Sequence, residues 1–243
     1  MSDPQGNAIL QTFVAQAGGR QAHLLIVTIA SAVPEQTTAD YTAAFQALGA
    51  SHITSLHLNQ RAEAFHISLA AVQQATGIYL SGGNQLRFTS LVLGTPLAEA
   101  LRAAHQRGAV FLGSSAGTAV LPPLMLAYGE DGAEPRQGMA ALASGLGLVE
   151  GVIFDQHFSQ RGRLGRLLAA VANNPHLLGV GVDENTAVLI EGQHLRVLGQ
   201  HGVTVVDGRH STSNAADLEH GDPIHTHNIH LHHLVAGDEF NWA

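Results

Sequence analysis

Apolar residues gather in short runs separated by polar, glycine-bearing segments, and the length and period of each run predicts its element. His23 to Ala30 reads HLLIVTIA, nearly continuous in aliphatic and β-branched side chains, as a parallel strand buried on both faces requires. A helix is predicted over Asp40 to Leu48, a strand over Ile53 to Leu58, a helix around Glu63 to Ala75 and a strand over Gly77 to Leu80. Gly82-Gly83 breaks that strand. Helical stretches through Leu86 to Leu93 and Pro96 to Arg107 then lead to a strand at Ala109 to Leu112, with Pro96 suited to a helix's first turn. Alternation of this kind predicts an α/β domain with a mostly parallel sheet.

Beyond Gly117 the pattern predicts an apolar helix, a polar glycine-rich loop near Gly129 to Gly138, a strand around Val152 to Phe154, a helix from about Arg161 to Asn173 and a strand at Gly179 to Val182. Ala187 to Ile190, Leu195 to Leu198 and Val203 to Val206 are short apolar runs between glycine-containing turns, predicting β-hairpins appended to the sheet.

Length and charge narrow the picture. A chain of 243 residues suits one α/β domain over 1–243. A formal charge of −8 disfavours a nucleic-acid partner, which needs clustered cations, and suits a cationic or zwitterionic ligand. With no cysteine there is no disulfide, thiol nucleophile or thiolate metal site. Residues Met1 to Gly19 lack a basic leader followed by an apolar run, and no stretch approaches the length of a membrane span, so a cytoplasmic protein with no membrane partner is the expectation.

The chemistry centres on Gly113-Ser114-Ser115-Ala116-Gly117, a Gly-x-Ser-x-Gly pattern directly after an apolar strand and before a helix-compatible run. The glycines relieve crowding at a tight strand-to-helix turn, which lifts the Ser115 hydroxyl above the sheet and lets the following amide face an oxyanion. The same five residues also suit an ordinary Ser/Gly turn capping the next helix. A nucleophilic serine needs a base, and the base an orienting acid. Among sixteen histidines, His157 stands out because it ends the strand in VIFDQHFSQRGRLGRLL, where parallel strands deliver side chains to the active face. Glu184 has the same placement after GVGV. The order Ser115, His157, Glu184 is thus assembled from three strand ends.

These residues, with SGGNQLRFTSLVLGTPL at Ser81 to Leu97, GSSAGTAV at Gly113 to Val120, GLGLVEGVIFDQHFSQRGRLGRLLAAVANNP at Gly145 to Pro175, GVGVDENTAVLI and HGVTVVDG, resemble the cyanophycinases, serine peptidases related to aspartyl dipeptidase. The resemblance implies a flavodoxin-like three-layer α/β sandwich akin to class I glutamine amidotransferases, and a homodimer. It implies Ser115 as nucleophile, His157 as general base and Glu184 as its partner. Gly83 and Ala116 would supply oxyanion-hole amides, and Gln85, Asp155, Gln156, Arg161, Arg163 and Arg166 would line the substrate site. No metal or organic cofactor is implied. The implied substrate is cyanophycin, a poly-aspartate backbone carrying arginine on each β-carboxylate, cut at the backbone to β-aspartyl-arginine. Asp155 is expected to receive the guanidinium and one or more arginines the carboxylates. Leu164, Leu167, Leu168 and Val171, spaced i, i+3, i+4, i+7, set the buried stripe of the helix, with Arg163 and Arg166 at its margin and Arg161 near its start, so a solvated helix face is the other reading for these arginines. A dipeptidase of the same group acting on aspartyl or isoaspartyl peptides, and a non-catalytic binding homologue, are the alternatives.

Family members usually open with a further apolar strand and a Gly-Gly-x-Glu-Asp-like turn before the helix corresponding to Ile9 to Ala17; this chain has neither, from which pairing between chains is expected. The segment holding His225, His227, His230 and His232 lacks the carboxylate pattern that would fix a metal geometry, and a polar strand edge is expected there.

Overall fold

The computed structural model describes residues 6–242. They form two compact units, one of residues 10–123 with 144–148 and the other of 124–143 with 149–242 and the first described turn of the chain.

The first unit contains α1 (Gly6–Gln16), most of which belongs to it, β1 (His23–Val27), α2 (Pro34–Ala47), β2 (His52–Leu56), α3 (Ala70–Gln74), β3 (Gly77–Leu80), α4 (Gln85–Val92), α5 (Pro96–Gln106), β4 (Val110–Gly113) and α6 (Ala116–Ala119). Its four strands pair in parallel in the order β2-β1-β3-β4. That is the beginning of the flavodoxin-like order, in which ligands meet the carboxyl ends of the strands where the order reverses. The apolar continuity of β1 has a simple cause. Leu24 and Ile26 pack into a cluster with Phe13 and Val14 of α1 and Phe45 of α2, while Leu25 and Val27, on the opposite face by strand alternation, are equally buried.

Two expectations shift here. The helix expected around Glu63 to Ala75 is a 3-10 turn at Arg61–Phe65 followed by the short α3. The apolar helix expected beyond Gly117 stops at Ala119, and Leu124–Gly129 is a strand, β5. Pro122 and Pro123 explain the change: neither offers an N–H to a helical ladder, and each disfavours the α conformation in the residue before it.

The second unit continues with β6 (Ala140–Ser144), which pairs with β5, then β7 (Val152–Gln156), α7 (Leu164–Asn173), β8 (Leu178–Val182), β9 (Thr186–Glu191), β10 (His194–Gly199), β11 (Val203–Asp207), β12 (Thr212–Ser213), β13 (Thr226–His227), β14 (His230–Leu234) and β15 (Glu239–Asn241). Its main sheet runs β14-β11-β8-β7, with β7 and β8 parallel and the other neighbours antiparallel. β9 and β10 form the expected hairpin, extended by β15. β11 differs from expectation: it joins the main sheet beside β8. The His-rich segment forms the sheet's outer strand β14, and no group of metal-ligating side chains is found among the described residues.

Helix α7 has the apolar stripe its spacing predicts, with Leu167 and Val171 in the core against Ile153 and Val206. Its small residues Ala169 and Ala172 enter a second cluster with Met139 and Ile224. The helix is therefore covered on two sides, and its arginines are drawn inside with it.

Candidate active site

β4 delivers Ser115 to a turn that only a tightly constrained backbone can make. Ser115 has φ 52° and ψ −110°, and it is one of four non-glycine residues with positive φ among those described. Such a conformation costs roughly 1–3 kcal/mol and persists where the surroundings impose it. They do so here. Ser114 N–H donates to Leu80 O on the neighbouring strand at 3.0 Å, Thr118 N–H and Ala119 N–H donate to Ser115 O, and the Thr118 hydroxyl donates to Gly113 O at 2.7 Å. Gly117 is required by close approach, because a Cβ there would run into the Leu80 carbonyl of β3. Ala116, buried, begins α6, so its N–H is one of those a helix's own ladder leaves unbonded.

Beside the turn, the Gly82-Gly83-Asn84 segment follows β3. Gly83 has φ 136°, and a Cβ on it would overlap the Ala30 carbonyl. Asn84 caps α4 by accepting from Arg87 N–H at 3.0 Å, and its own N–H donates to Ala30 O at 2.9 Å. Gly82 lies against Ser115, an added Cβ coming 3.4 Å from the serine Cβ. Gln85, half-buried, is the first residue of α4. Ser115, Gly83, Ala116 and Gln85 thus belong to the first unit, on segments leaving β3 and β4.

In the second unit β7 and β8 run in register, with Gln156 opposite Val182, so both strands end at the same level. His157 and Glu184 leave those ends, and His157 Nδ1 lies 2.8 Å from Glu184 Oε1. The contact of Nδ1 with a carboxylate orients the ring and sets its tautomer. His157 also has positive φ, 53°. Its loop is pinned by Asp183, whose carboxylate accepts from Ser159 N–H at 2.9 Å, and by Gln160, whose side chain accepts from Glu184 N–H at 3.1 Å.

The arginines occupy positions that spacing alone does not reveal. Asp155 is 1% exposed and receives Arg166 through both carboxylate oxygens, with Nε to Oδ2 at 2.6 Å and Nη2 to Oδ1 at 2.5 Å. Arg163 donates from Nε to Asp131 Oδ1 at 3.0 Å and from Nη1 to Gln156 Oε1 at 3.1 Å, and Nη1 also meets the Gln156 carbonyl. Burial, followed by the neighbouring Arg166, holds the Arg163 guanidinium below its ordinary range. Arg163 and Arg166, placed at the margin of the helix by their spacing, are thus buried and bonded to internal carboxylates, whereas Arg161 is exposed in the 3-10 turn Ser159–Arg161. Asp131 was not singled out by the sequence. It lies in the polar glycine-rich loop, where no periodic pattern marks one residue from the next.

Comparison with known proteins follows the same lines. The profile of peptidase family S51 matches residues 2–198. Cyanophycinase from Trichormus variabilis is 37% identical over 240 residues, spanning 97% of this chain and 80% of that protein. Cyanophycinase from Thermosynechococcus vestitus is 39% identical over 241 residues, spanning 98% of this chain and 75% of that protein. In fold, the chain is similar to a crystal structure of a peptidase from an acI-B1 actinobacterium, with a TM-score of 0.69 at 21% identity over 98% of this chain and 92% of that one. A serine on a strained strand-to-helix turn, in an α/β chain with this kinship, makes the protein a serine peptidase. It belongs to peptidase family S51, in the cyanophycinase group.

Proposed function

We propose that this protein is a serine exopeptidase that hydrolyses the aspartate backbone of cyanophycin to β-aspartyl-arginine, with Ser115 as nucleophile, His157 as general base and Glu184 as its orienting acid. The observation that carries the mechanism is the 2.8 Å contact of His157 Nδ1 with Glu184, which fixes the imidazole tautomer a base needs. The substrate is supported by the two cyanophycinases of 37% and 39% identity.

In this reading His157 Nε2 takes the Ser115 proton as Oγ adds to the scissile carbonyl, and the Gly83 and Ala116 amides hold the oxyanion. His157 then passes that proton to the departing amine as the C–N bond breaks, leaving an acyl-serine. A water, giving its proton to His157, adds to the ester, and the collapse returns the proton to Ser115 and frees the acid. The whole of residues 1–243 acts as one hydrolase. Gln85, Gln156 and Arg161 meet the substrate, while Asp155, Arg163 and Arg166, already bonded to one another or to Asp131, contribute through the architecture of the site. A homodimer, a cytoplasmic location and the absence of nucleic-acid, membrane and cofactor partners belong to the same proposal; the charge of −8 supports the exclusion of nucleic acid.

Incubating the purified protein with cyanophycin and identifying the products by mass spectrometry tests the reading. Release of β-aspartyl-arginine that stops in Ser115→Ala is expected. Intact polymer, or cleavage that survives in Ser115→Ala, overturns it.

A further inference from the structure

His157 is held in a left-handed backbone conformation, φ 53°, that a β-carbon disfavours, so its neighbours must fix the chain around it. The peptide after it is held by Arg161 N–H to the His157 carbonyl at 3.1 Å and by Phe158 N–H to Val182 O at 3.3 Å, and the peptide before it is held by Arg163. The Arg163 guanidinium donates to the carbonyl of Gln156, which is the peptide leading into His157, and to the Gln156 side chain at 3.1 Å. The Arg163 backbone N–H donates to the carbonyl of Phe158, the residue that follows, at 3.1 Å. The guanidinium is itself fixed at two further points, Asp131 at 3.0 Å and the buried Asp155 at 3.4 Å. A planar fork of donors can serve these acceptors together, and an ammonium cannot.

We propose that Arg163 is a positioning residue for His157: clamped between Asp131 and Asp155, it holds the Gln156 carbonyl and thereby the left-handed turn that aims the imidazole at its task. The proposal rests on His157 being the general base. It departs from the role the family resemblance implies, that of a residue lining the substrate site where arginines receive carboxylates. A ligand carboxylate would have to reach a guanidinium that is itself buried, whereas the carbonyl beside His157 is already in its grasp.

The test compares wild-type protein with Arg163→Lys, Arg163→Ala and Asp131→Asn in two measurements. The first is steady-state hydrolysis of cyanophycin. The positioning role predicts that kcat falls about 10- to 100-fold in the Arg163 variants, as small misplacements of a catalytic group do, with Lys little better than Ala. KM should stay within about twofold of wild type, since no substrate contact is lost. The second measurement is the low-field imidazole N–H proton of His157 in the NMR spectrum, assigned by its absence in His157→Gln. It should shift or broaden in folded Arg163→Lys, and to a smaller degree in Asp131→Asn, which loosens the clamp at its half-exposed end and stands in should the Arg163 variants fail to fold.

A raised KM with unchanged kcat would make Arg163 a substrate contact and overturn the proposal. An unchanged His157 proton in folded Arg163→Lys or Asp131→Asn would overturn it as well. The imidazole signal needs no turnover, so it judges Arg163 even if wild-type protein leaves cyanophycin intact and the functional reading itself fails.

Discussion

His157 and Glu184 face each other because β7 and β8 stop at the same level: the strands pair Gln156 with Val182, and the next turns bring imidazole Nδ1 to 2.8 Å from the carboxylate. Glu184 is 52% exposed, so water can take over part of its duty. Glu184→Gln is therefore expected to lower kcat on cyanophycin by about 10²-fold, short of the roughly 10⁴-fold typical when a buried triad acid is neutralised. Ser115→Ala and His157→Ala should each cost at least about 10³-fold with substrate binding preserved. Steady-state kinetics and equilibrium binding check all three; a fully active His157→Ala would assign the base to another histidine.

Gly83→Ala should damage both stability and turnover. The residue sits at φ 136°, and a Cβ would overlap the Ala30 carbonyl, so the segment after β3 must move. The conformational mismatch alone should cost more than about 1 kcal/mol. A lowered Tm together with a lowered rate of Ser115 acylation by a small serine-reactive probe is the expected result; a variant indistinguishable from wild type would remove Gly83 from the oxyanion assignment.

Asp155→Asn and Arg161→Ala should separate architecture from recognition. Asp155 is buried with Arg166 and Arg163, so removing its charge leaves uncompensated cations inside, at a cost on the order of 3–5 kcal/mol. Arg161 is exposed, and its loss should leave thermal unfolding unchanged while weakening kcat/KM for cyanophycin more than reactivity toward the small probe. Equal losses on both substrates would deny Arg161 a recognition role.

Asp207 supplies an acid-sensitive contact away from these residues. Its carboxylate is held below the ordinary range by hydrogen bonds from Arg209, which lies two residues on and also donates to Trp242 O at 2.7 Å. A depressed folded pKa means a stabilising contribution that is complete above the unfolded value of about 3.9 and is lost as pH falls through the folded value. Asp207→Asn should accordingly lower Tm at neutral pH by about 2–4 °C, and the gap to wild type should narrow as pH drops below about 3.9. Thermal scans across pH would show it; a gap that persists in acid would assign the loss to packing.

Much of this protein was legible along the chain because its determinants are local. β1 and β8 announce themselves by apolar continuity, α5 by a proline at its first turn and a periodic stripe, and Ser115 by the glycines that a tight turn demands. Strand ends were enough to single out His157 and Glu184, but their contact depended on the register of β7 with β8, which no local pattern encodes. The same holds for β11, whose short apolar run suits a hairpin or an inner strand equally until β8 and β14 pair with it. For Arg163 and Arg166 helical spacing gave a margin facing water, and the tertiary structure gave burial. A carboxylate on β7 and another from a loop some thirty residues earlier supply the countercharges that make a buried guanidinium tolerable. Sequence fixes which groups exist and what backbone they favour, and only the folded chain decides which charges meet, since pairing energy depends on distances set by segments far apart in the chain.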